Sequence, residues 1–189
     1  MNSYESEKGL LRKKVNEILA RLTEDDIISG NDIIFNNTMS LPEYAAARTV
    51  FAYHSMGREP DTRKILDSAL SSGKTVALPL ITGAGIMEAR IIKTVSELVP
   101  GKFGIPSPPE ASETLEPRDI DFILVPAVAF DVNGYRLGRG GGFYDRFLAK
   151  TTAYAAGLSR EAALLSSVPR EVHDLPVQCI ITEKRIARL

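Results

Sequence analysis

Residues 122–150, FILVPAVAFDVNGYRLGRGGGFYDRFLAK, carry the pattern that decides the fold. Residues 122–130 are apolar almost throughout, which is typical of a strand that is covered on both faces of a sheet. A tight turn at Asn133-Gly134 follows, then a glycine-rich loop over 138–142, and then the start of a helix over 143–150. A buried strand that leads through a glycine loop into a helix favours an α/β fold.

Outside this stretch, strand patterns and helix patterns alternate along the chain. The predicted helices span 5–22, 24–38, a short segment beginning at Leu41, and 61–71; the predicted strands span 49–54, 74–80, 88–92, 153–158 and 177–182. Residues 100–118 are rich in proline and lack periodicity, so we expect a long surface loop there. The alternation predicts one domain over residues 1–189, a three-layer α/β/α sandwich with a mostly parallel, Rossmann-like sheet.

Composition excludes several classes of protein. The chain has 189 residues, of which 44% are hydrophobic and 25% are charged, a balance unlike that of disordered, fibrous or membrane-spanning chains. The formal net charge of −1 comes from 23 basic and 24 acidic residues and predicts no binding to nucleic acid or to a membrane. Cys179 is the lone cysteine, which favours a reducing compartment, and residues 1–20 are too charged for a signal peptide. The last two features favour a cytoplasmic location; we also expect a monomer whose partners are small-molecule substrates.

The glycine loop is the strongest candidate for a binding site. Residues without a Cβ let a ligand approach the backbone closely and expose consecutive N–H groups, and a helix N-terminus adds unpaired donors and partial positive charge. This combination favours an anion, most plausibly a phosphate. The loop glycines are Gly138, Gly140, Gly141 and Gly142, and the arginines around them are Arg136, Arg139 and Arg146. The spacing matches neither the dinucleotide fingerprint nor a Walker A loop, so a plain structural turn stays open as an alternative.

Two carboxylates near the loop suit a bound magnesium ion. Mg²⁺ bound with a nucleotide takes one or two carboxylates besides phosphate oxygens and waters. Asp145 lies just past the glycines, and Asp174 lies in the segment His173-Asp174-Leu175-Pro176. The alternatives are that Asp145 only complements the dipole in the first turn of a helix and that Asp174 only caps a turn.

Further candidates each have a structural alternative. Lys8 and Arg12 lie four residues apart on one helix face, where they could grip phosphates or form an exposed basic face. Tyr144 could stack or donate to a ligand, or it could be a core tyrosine on a helix face. Glu59 could be a solvated loop carboxylate before Pro60, and His54, at the end of a predicted strand, could be a satisfied core histidine.

The segment RLGRGGGFYDRFL, residues 136–148, resembles the signature of the 5-formyltetrahydrofolate cyclo-ligase family, which runs roughly R-L-G-x-G-x-G-Y-Y-D. Other segments resemble family motifs in the same order along the chain. They are Lys8-Gly9-Leu10-Leu11-Arg12, Ser55-Met56-Gly57-Arg58-Glu59 with Thr62, Val125-Pro126 through Phe130-Asp131, and His173-Asp174 with Pro176. Two positions depart from the signature, since Gly141 stands where many members carry lysine and Phe143 replaces the first tyrosine.

The resemblance implies ATP-dependent closure of 5-formyltetrahydrofolate to 5,10-methenyltetrahydrofolate, with Mg²⁺ required and ADP and phosphate released, on a single α/β domain. It also implies roles for individual residues. ATP would meet Lys8, Arg12, Arg136, Gly138, Arg139, Gly140, Gly141, Gly142, Phe143 and Tyr144; the folate would meet His54, Glu59, Arg139 and Phe143; Mg²⁺ would be held by Asp145 and Asp174. Arg139 and Tyr144 would be the catalytic residues.

Three other functions stay open at this point. A relative of the family could bind nucleotide or folate without closing the ring, and the absence of lysine at position 141 keeps that alternative open. A nucleic-acid-binding module could use the loop arginines with Phe143 and Tyr144, against which the net charge argues. A sugar-phosphate enzyme could use a similar glycine loop on a similar sheet.

Overall fold

The computed structural model of the protein describes residues 3–189. Its helices are Ser3–Ala20 (α1), Glu24–Met39 (α2), Pro42–Ala46 (α3), Arg63–Ser71 (α4) and Phe143–Leu148 (α5). Its strands are Thr49–Phe51 (β1), Thr75–Gly83 (β2), Ile86–Ile92 (β3), Val99–Pro100 (β4), Pro106–Ser107 (β5), Thr114–Leu115 (β6), Phe122–Val125 (β7), Ala129–Asp131 (β8), Arg136–Leu137 (β9), Tyr154–Leu158 (β10), Leu164–Leu165 (β11), Cys179–Ile181 (β12) and Ile186–Arg188 (β13). No helix in this range combines the length and the apolar character needed to cross a bilayer.

The central sheet has eight strands in the order β13-β12-β10-β7-β1-β2-β3-β6. The strands from β12 to β2 pair in parallel, and β13, β3 and β6 add antiparallel edges. Two small sheets lie outside it, one of order β11-β8-β9 and one formed by β4 and β5. The prediction of a mostly parallel α/β sheet is confirmed.

Both faces of the central sheet are covered, which gives the predicted three layers. On one face, Ile34 of α2, Tyr44 of α3 and Leu66 of α4 pack against inward-facing strand residues. On the other face, Phe147 of α5 and Phe130 of β8 cover the sheet. Helix α1 lies outermost and packs its apolar face against the β8–β9 hairpin.

Several predicted elements differ in extent from those observed. The apolar run 122–130 forms two strands, because Pro126 lacks an N–H for the ladder and the chain leaves the central sheet after β7. The stretch 100–118 is not a plain loop, since it contains β5, β6 and 3₁₀ turns, and β6 pairs with β3. Helix α5 has six residues and ends at Leu148. The short strands β9, β11 and β13 have no counterpart among the predicted elements.

The order of the strands marks where a ligand would bind. The chain passes from β1 through α4 to β2 on one side, and from β7 through α5 to β10 on the other. The direction of winding therefore reverses between β1 and β7. In open α/β sheets, ligands bind in the crevice outside the carboxyl ends of the strands at such a reversal. The segment after β1 carries His54 and Glu59, and the segment after β7 leads to the glycine loop.

Candidate active site

Three buried polar atoms lie in the segments that flank this crevice. They are the hydroxyl oxygens of Tyr53 and Tyr144 and Nδ1 of His54, and none has a hydrogen-bond partner among the residues that the structure describes. Leaving such an atom unsatisfied costs about 1–3 kcal/mol, so the three atoms mark hydrogen-bonding capacity beside the crevice that the described residues do not use. A fourth unsatisfied atom, the hydroxyl oxygen of Tyr44, lies away from the crevice. Tyr44 is on α3, and its ring packs against Phe122 at the amino end of β7.

The tyrosines of the crevice remain protonated at neutral pH. Burial raises the pKa of Tyr144 and of Tyr53 well above the ordinary value, and the negative charge of Glu59 raises both further. A protonated hydroxyl donates a hydrogen bond, so each is suited to an acceptor atom on a ligand. The ring of Tyr144 stacks on Phe51 with centroids 6.2 Å apart, so this side chain combines a core ring with an unsatisfied hydroxyl.

Opposing contacts fix the glycine loop at its two ends. On the α1 side, Arg12 Nε donates to the carbonyl of Gly138 at 2.7 Å. On the other side, Arg146 donates to the carbonyls of Gly141 and, at 2.9 Å, of Gly85. Gly140 and Gly142 adopt φ of +98° and +61°, a backbone region that side chains disfavour. Helix α5 is short, so its dipole adds less to an anion site than the sequence suggests, and side chains must add more.

The ring of Phe143 leaves no room for a side chain at position 141. A Cβ at position 141 would lie 2.6 Å from the Phe143 ring, which folds back over the loop. The guanidinium of Arg146 covers the same ring, with its Cζ 5.7 Å from the centroid. The ring therefore occupies space that a side chain at 141 would need, and a tyrosine ring in this position would occupy the same space.

The loop meets the segment after β1 through one ion pair. Arg139 Nη2 lies 2.7 Å from Glu59 Oε1, with the Arg139 side chain largely exposed and that of Glu59 largely covered. The other carboxylate oxygen of Glu59 accepts the N–H of Met56 at 2.9 Å. Residues that lie 80 positions apart in the sequence thus share one site.

The candidate metal ligands are each engaged by a cation. Asp145 pairs with Arg136, which also donates to the carbonyl of Leu175 at 2.8 Å. Asp174 lies 3.5 Å from Lys8 Nζ, and Glu171 lies 3.6 Å from the same atom. Within the described residues, no group of three metal-binding side chains occurs. Two carboxylates still suit Mg²⁺, because this ion takes most of its oxygens from phosphates and waters.

A cavity of about 600 Å³ adjoins the loop on the side away from α1. The β2–β3 hairpin and α5 form its walls, including Gly85, Met87, Gly141, Phe143, Arg146 and Phe147. Its size is typical of small-molecule sites, and apolar side chains beside two cations, Arg146 and Lys150, suit a partly aromatic ligand. The β2–β3 hairpin was not among the predicted parts of the site; the Gly83-Ala84-Gly85 turn between two strand patterns is the signal that could have placed it there.

A model of the 5-formyltetrahydrofolate cyclo-ligase family matches residues 4–183. The chain belongs to this family.

Individual relatives agree with that assignment. A 5-formyltetrahydrofolate cyclo-ligase of Mycolicibacterium smegmatis is 40% identical over 149 residues, which cover 74% of this chain and 76% of that protein. The Escherichia coli K12 cyclo-ligase is 32% identical over 154 residues, covering 78% and 85%. The NMR structure of 5,10-methenyltetrahydrofolate synthetase from Aquifex aeolicus matches with a TM-score of 0.86 and 34% identity, covering 96% of this chain and 92% of that one. The resemblance inferred from the glycine signature is confirmed, as is membership of an enzyme family.

Proposed function

We propose that the protein catalyses the ATP- and Mg²⁺-dependent cyclisation of 5-formyltetrahydrofolate to 5,10-methenyltetrahydrofolate, releasing ADP and phosphate. Family membership and the names of the relatives support this reaction. The observation that carries the proposal is the contact between Arg139 of the glycine loop and Glu59 after β1. It joins a loop suited to phosphate to a carboxylate suited to the N–H edge of a pterin, so two substrates can meet there.

The triphosphate of ATP lies, in this proposal, on the α1 side of the glycine loop. Lys8 and Arg12 reach that side from α1, and Arg139 reaches it from the loop itself. Each of them contacts an oxygen of the protein in the absence of a ligand, and phosphate oxygens replace some of these acceptors when ATP binds. The backbone of Gly138, Gly140, Gly141 and Gly142 allows close approach, and Phe143 and Tyr144 follow directly.

The folate lies across the loop, with its pterin at Glu59. The unsatisfied atoms of His54, Tyr53 and Tyr144 supply further polar partners there. The cavity beside the β2–β3 hairpin receives the rest of the molecule, with Phe143 as an aromatic wall. The folate thus runs from Glu59, which contacts the loop through Arg139, to the cavity beside the hairpin.

The chemistry requires an activated oxygen rather than a covalent nucleophile on the protein. The formyl group on N5 is amide-like, and its oxygen is a poor leaving group. Transfer of the γ-phosphoryl group to that oxygen activates the carbon towards N10. Attack by N10 forms the C–N bond, the N10 proton is lost, and the oxygen departs as phosphate. The enzyme therefore has to hold two substrates in line and stabilise charge on the phosphoryl group.

Arg139 and Tyr144 are the proposed catalytic residues. The Arg139 guanidinium, once released from Glu59, stabilises the phosphoryl group in transit. Tyr144 acts as a hydrogen-bond donor and not as a base, because burial holds its pKa far above neutral pH. Asp145 and Asp174 are the residues that would hold Mg²⁺, which supplies charge neutralisation of the phosphates when bound.

The test is a spectroscopic assay of the purified protein with 5-formyltetrahydrofolate, ATP and Mg²⁺. We expect methenyl absorbance to appear only when ATP is present, and Arg139→Met to reduce its rate by about a hundredfold, as loss of a transition-state contact does. Arg185→Met is the matched control, because Arg185 also pairs from the surface with a covered carboxylate, that of Glu161. Binding of both substrates without any product would instead favour a relative that does not close the ring.

A further inference from the structure

Arg160 is a buried arginine at the end of β10 that the reaction as described does not use. The residue is 2% exposed. Its guanidinium donates to four neutral oxygens, namely the carbonyls of Ile27, Arg58 and Glu59 at 3.3–3.4 Å and Oδ1 of Asn31 at 2.5 Å. Burial lowers the pKa of Arg160, and the nearby charges of Glu183 and Asp61 act against this. Its hydrogen bonds nevertheless go only to neutral oxygens, so the choice of these acceptors calls for an explanation.

The four acceptors belong to two parts of the chain. Ile27 and Asn31 lie on α2, whereas the other two are the backbone of the segment that carries the Glu59 side chain. The hydrogen bonds of Arg160 thus connect this segment to α2. From another direction, Arg58 donates to the carbonyls of Leu19 and Leu22 at the end of α1. The segment has one backbone bond of its own, from the Glu59 N–H to the Met56 carbonyl at 3.2 Å, and Asn31 Oδ1 also accepts the N–H of Asp61 at 3.1 Å. Arg160 and Arg58 add the contacts that hold the backbone of residues 58 and 59 against α2 and α1.

Helix α2 is shaped to receive the guanidinium. Gly30 is buried within α2, where glycine is unfavourable relative to alanine. A Cβ at position 30 would lie 2.9 Å from Arg160 Nη1. The glycine therefore leaves space for the guanidinium. Together with the hydrogen bonds, this shows that α2 and Arg160 fit each other closely.

We propose that Arg160 is a positioning residue, which holds the backbone of Glu59 so that its carboxylate faces both the folate and Arg139. The inference rests on the proposed function, because it takes Glu59 as the folate contact. Arg160 touches neither substrate. It acts through the orientation of Glu59, so its loss affects folate binding much more than ATP binding.

The first test is kinetic. Arg160→Met should raise the KM for 5-formyltetrahydrofolate about tenfold, as loss of a well-placed charged contact does, and leave the KM for ATP within about twofold. Gly30→Ala should reproduce this split, because it displaces the guanidinium without removing it. In a Glu59→Gln background, Arg160→Met should have no further effect on the folate KM. Equal changes in both KM values, or full additivity with Glu59→Gln, would overturn the proposal.

The second test is hydrogen exchange of the ligand-free protein, which does not depend on activity. Arg160→Met should accelerate exchange in the peptide spanning 55–60 and leave the central strands unchanged. Asn37→Ala is the matched control, since Asn37 also ties α2 to the sheet, through the carbonyl of Thr182 at 2.9 Å, but does not contact the Glu59 segment. Uniform acceleration along the chain, or the same pattern in Asn37→Ala, would overturn the proposal. Absence of ring closure in the unmutated protein would instead contradict the proposed function and leave the exchange result to decide the role of Arg160.

Discussion

Gly138→Ala separates the binding role of the glycine loop from its role in folding. Gly138 has no atom within 4 Å of the position that a Cβ would occupy, and its φ lies outside the left-handed region. An alanine is therefore tolerated by the ligand-free protein. If the backbone of the loop contacts phosphates, however, the added methyl group stands where a ligand must approach.

Gly138→Ala should stabilise the folded protein slightly but weaken the binding of ATP. A Gly→Ala change at a compatible position stabilises by about 0.4–1 kcal/mol, because the unfolded chain loses freedom. For a chain of this size, that raises the Tm by roughly 1–4 °C. The KM for ATP should rise at least about tenfold, which corresponds to about 1.4 kcal/mol of binding.

Gly73→Ala is the matched control. Gly73 also has open space around it, but it adopts φ of +77° beyond the end of α4 and lies just before the amino end of β2, whereas the crevice lies at the carboxyl ends of the strands. A side chain in the left-handed region costs about 1–2 kcal/mol, so this variant should melt lower and keep its KM for ATP. Thermal unfolding and the methenyl assay at varied ATP measure both quantities. A Gly138→Ala protein with an unchanged KM for ATP would refute the idea that a nucleotide approaches the loop backbone.

Three more predictions test other parts of the site. Asp145→Asn should weaken the dependence of the rate on Mg²⁺ and lower stability by about 1.5–3 kcal/mol, because it removes the charged partner of covered Arg136; identical Mg²⁺ titrations would exclude Asp145 as a ligand. Glu59→Gln should raise the folate KM and change the Tm little, since Arg139 is mostly exposed and such pairs contribute about 0–1 kcal/mol; an unchanged folate KM would remove Glu59 from the site. Burial raises the pKa of the Cys179 thiol to about 11, so only about one molecule in a thousand carries the reactive thiolate at pH 8. Iodoacetamide should therefore modify Cys179 slowly in the folded protein, faster as the pH rises towards 11, and rapidly in urea; fast modification of the folded protein at pH 8 would contradict this.

Local patterns predicted most of the fold. Apolar runs and helical spacing located the parallel strands and the helices, because burial on a sheet or on a helix face imposes those periods on the sequence. The predicted extent of the strand at 122–130 was wrong, because an apolar run does not reveal that the residues before and after Pro126 join different sheets. The pairing of β6 with β3 was missed because two-residue strands carry no period.

The candidate site was predictable only in part. The glycine loop and its neighbours could be read as a phosphate site because the chemistry is local in sequence. The contact of Arg139 with Glu59 spans 80 positions, and that of Arg160 with Glu59 spans 101. Contacts of this kind depend on how the strands are ordered in the sheet, which no local pattern encodes. The hairpin wall of the cavity was missed for the same reason.

The central claim is that the glycine loop binds the triphosphate of ATP beside a folate. The most direct measurement is a crystal structure of the protein with Mg²⁺ and a non-hydrolysable ATP analogue. The account predicts phosphate oxygens over the backbone of residues 138–142, with Lys8 and Arg12 turned towards them. A nucleotide bound at another edge of the sheet, with the loop unchanged, would contradict it.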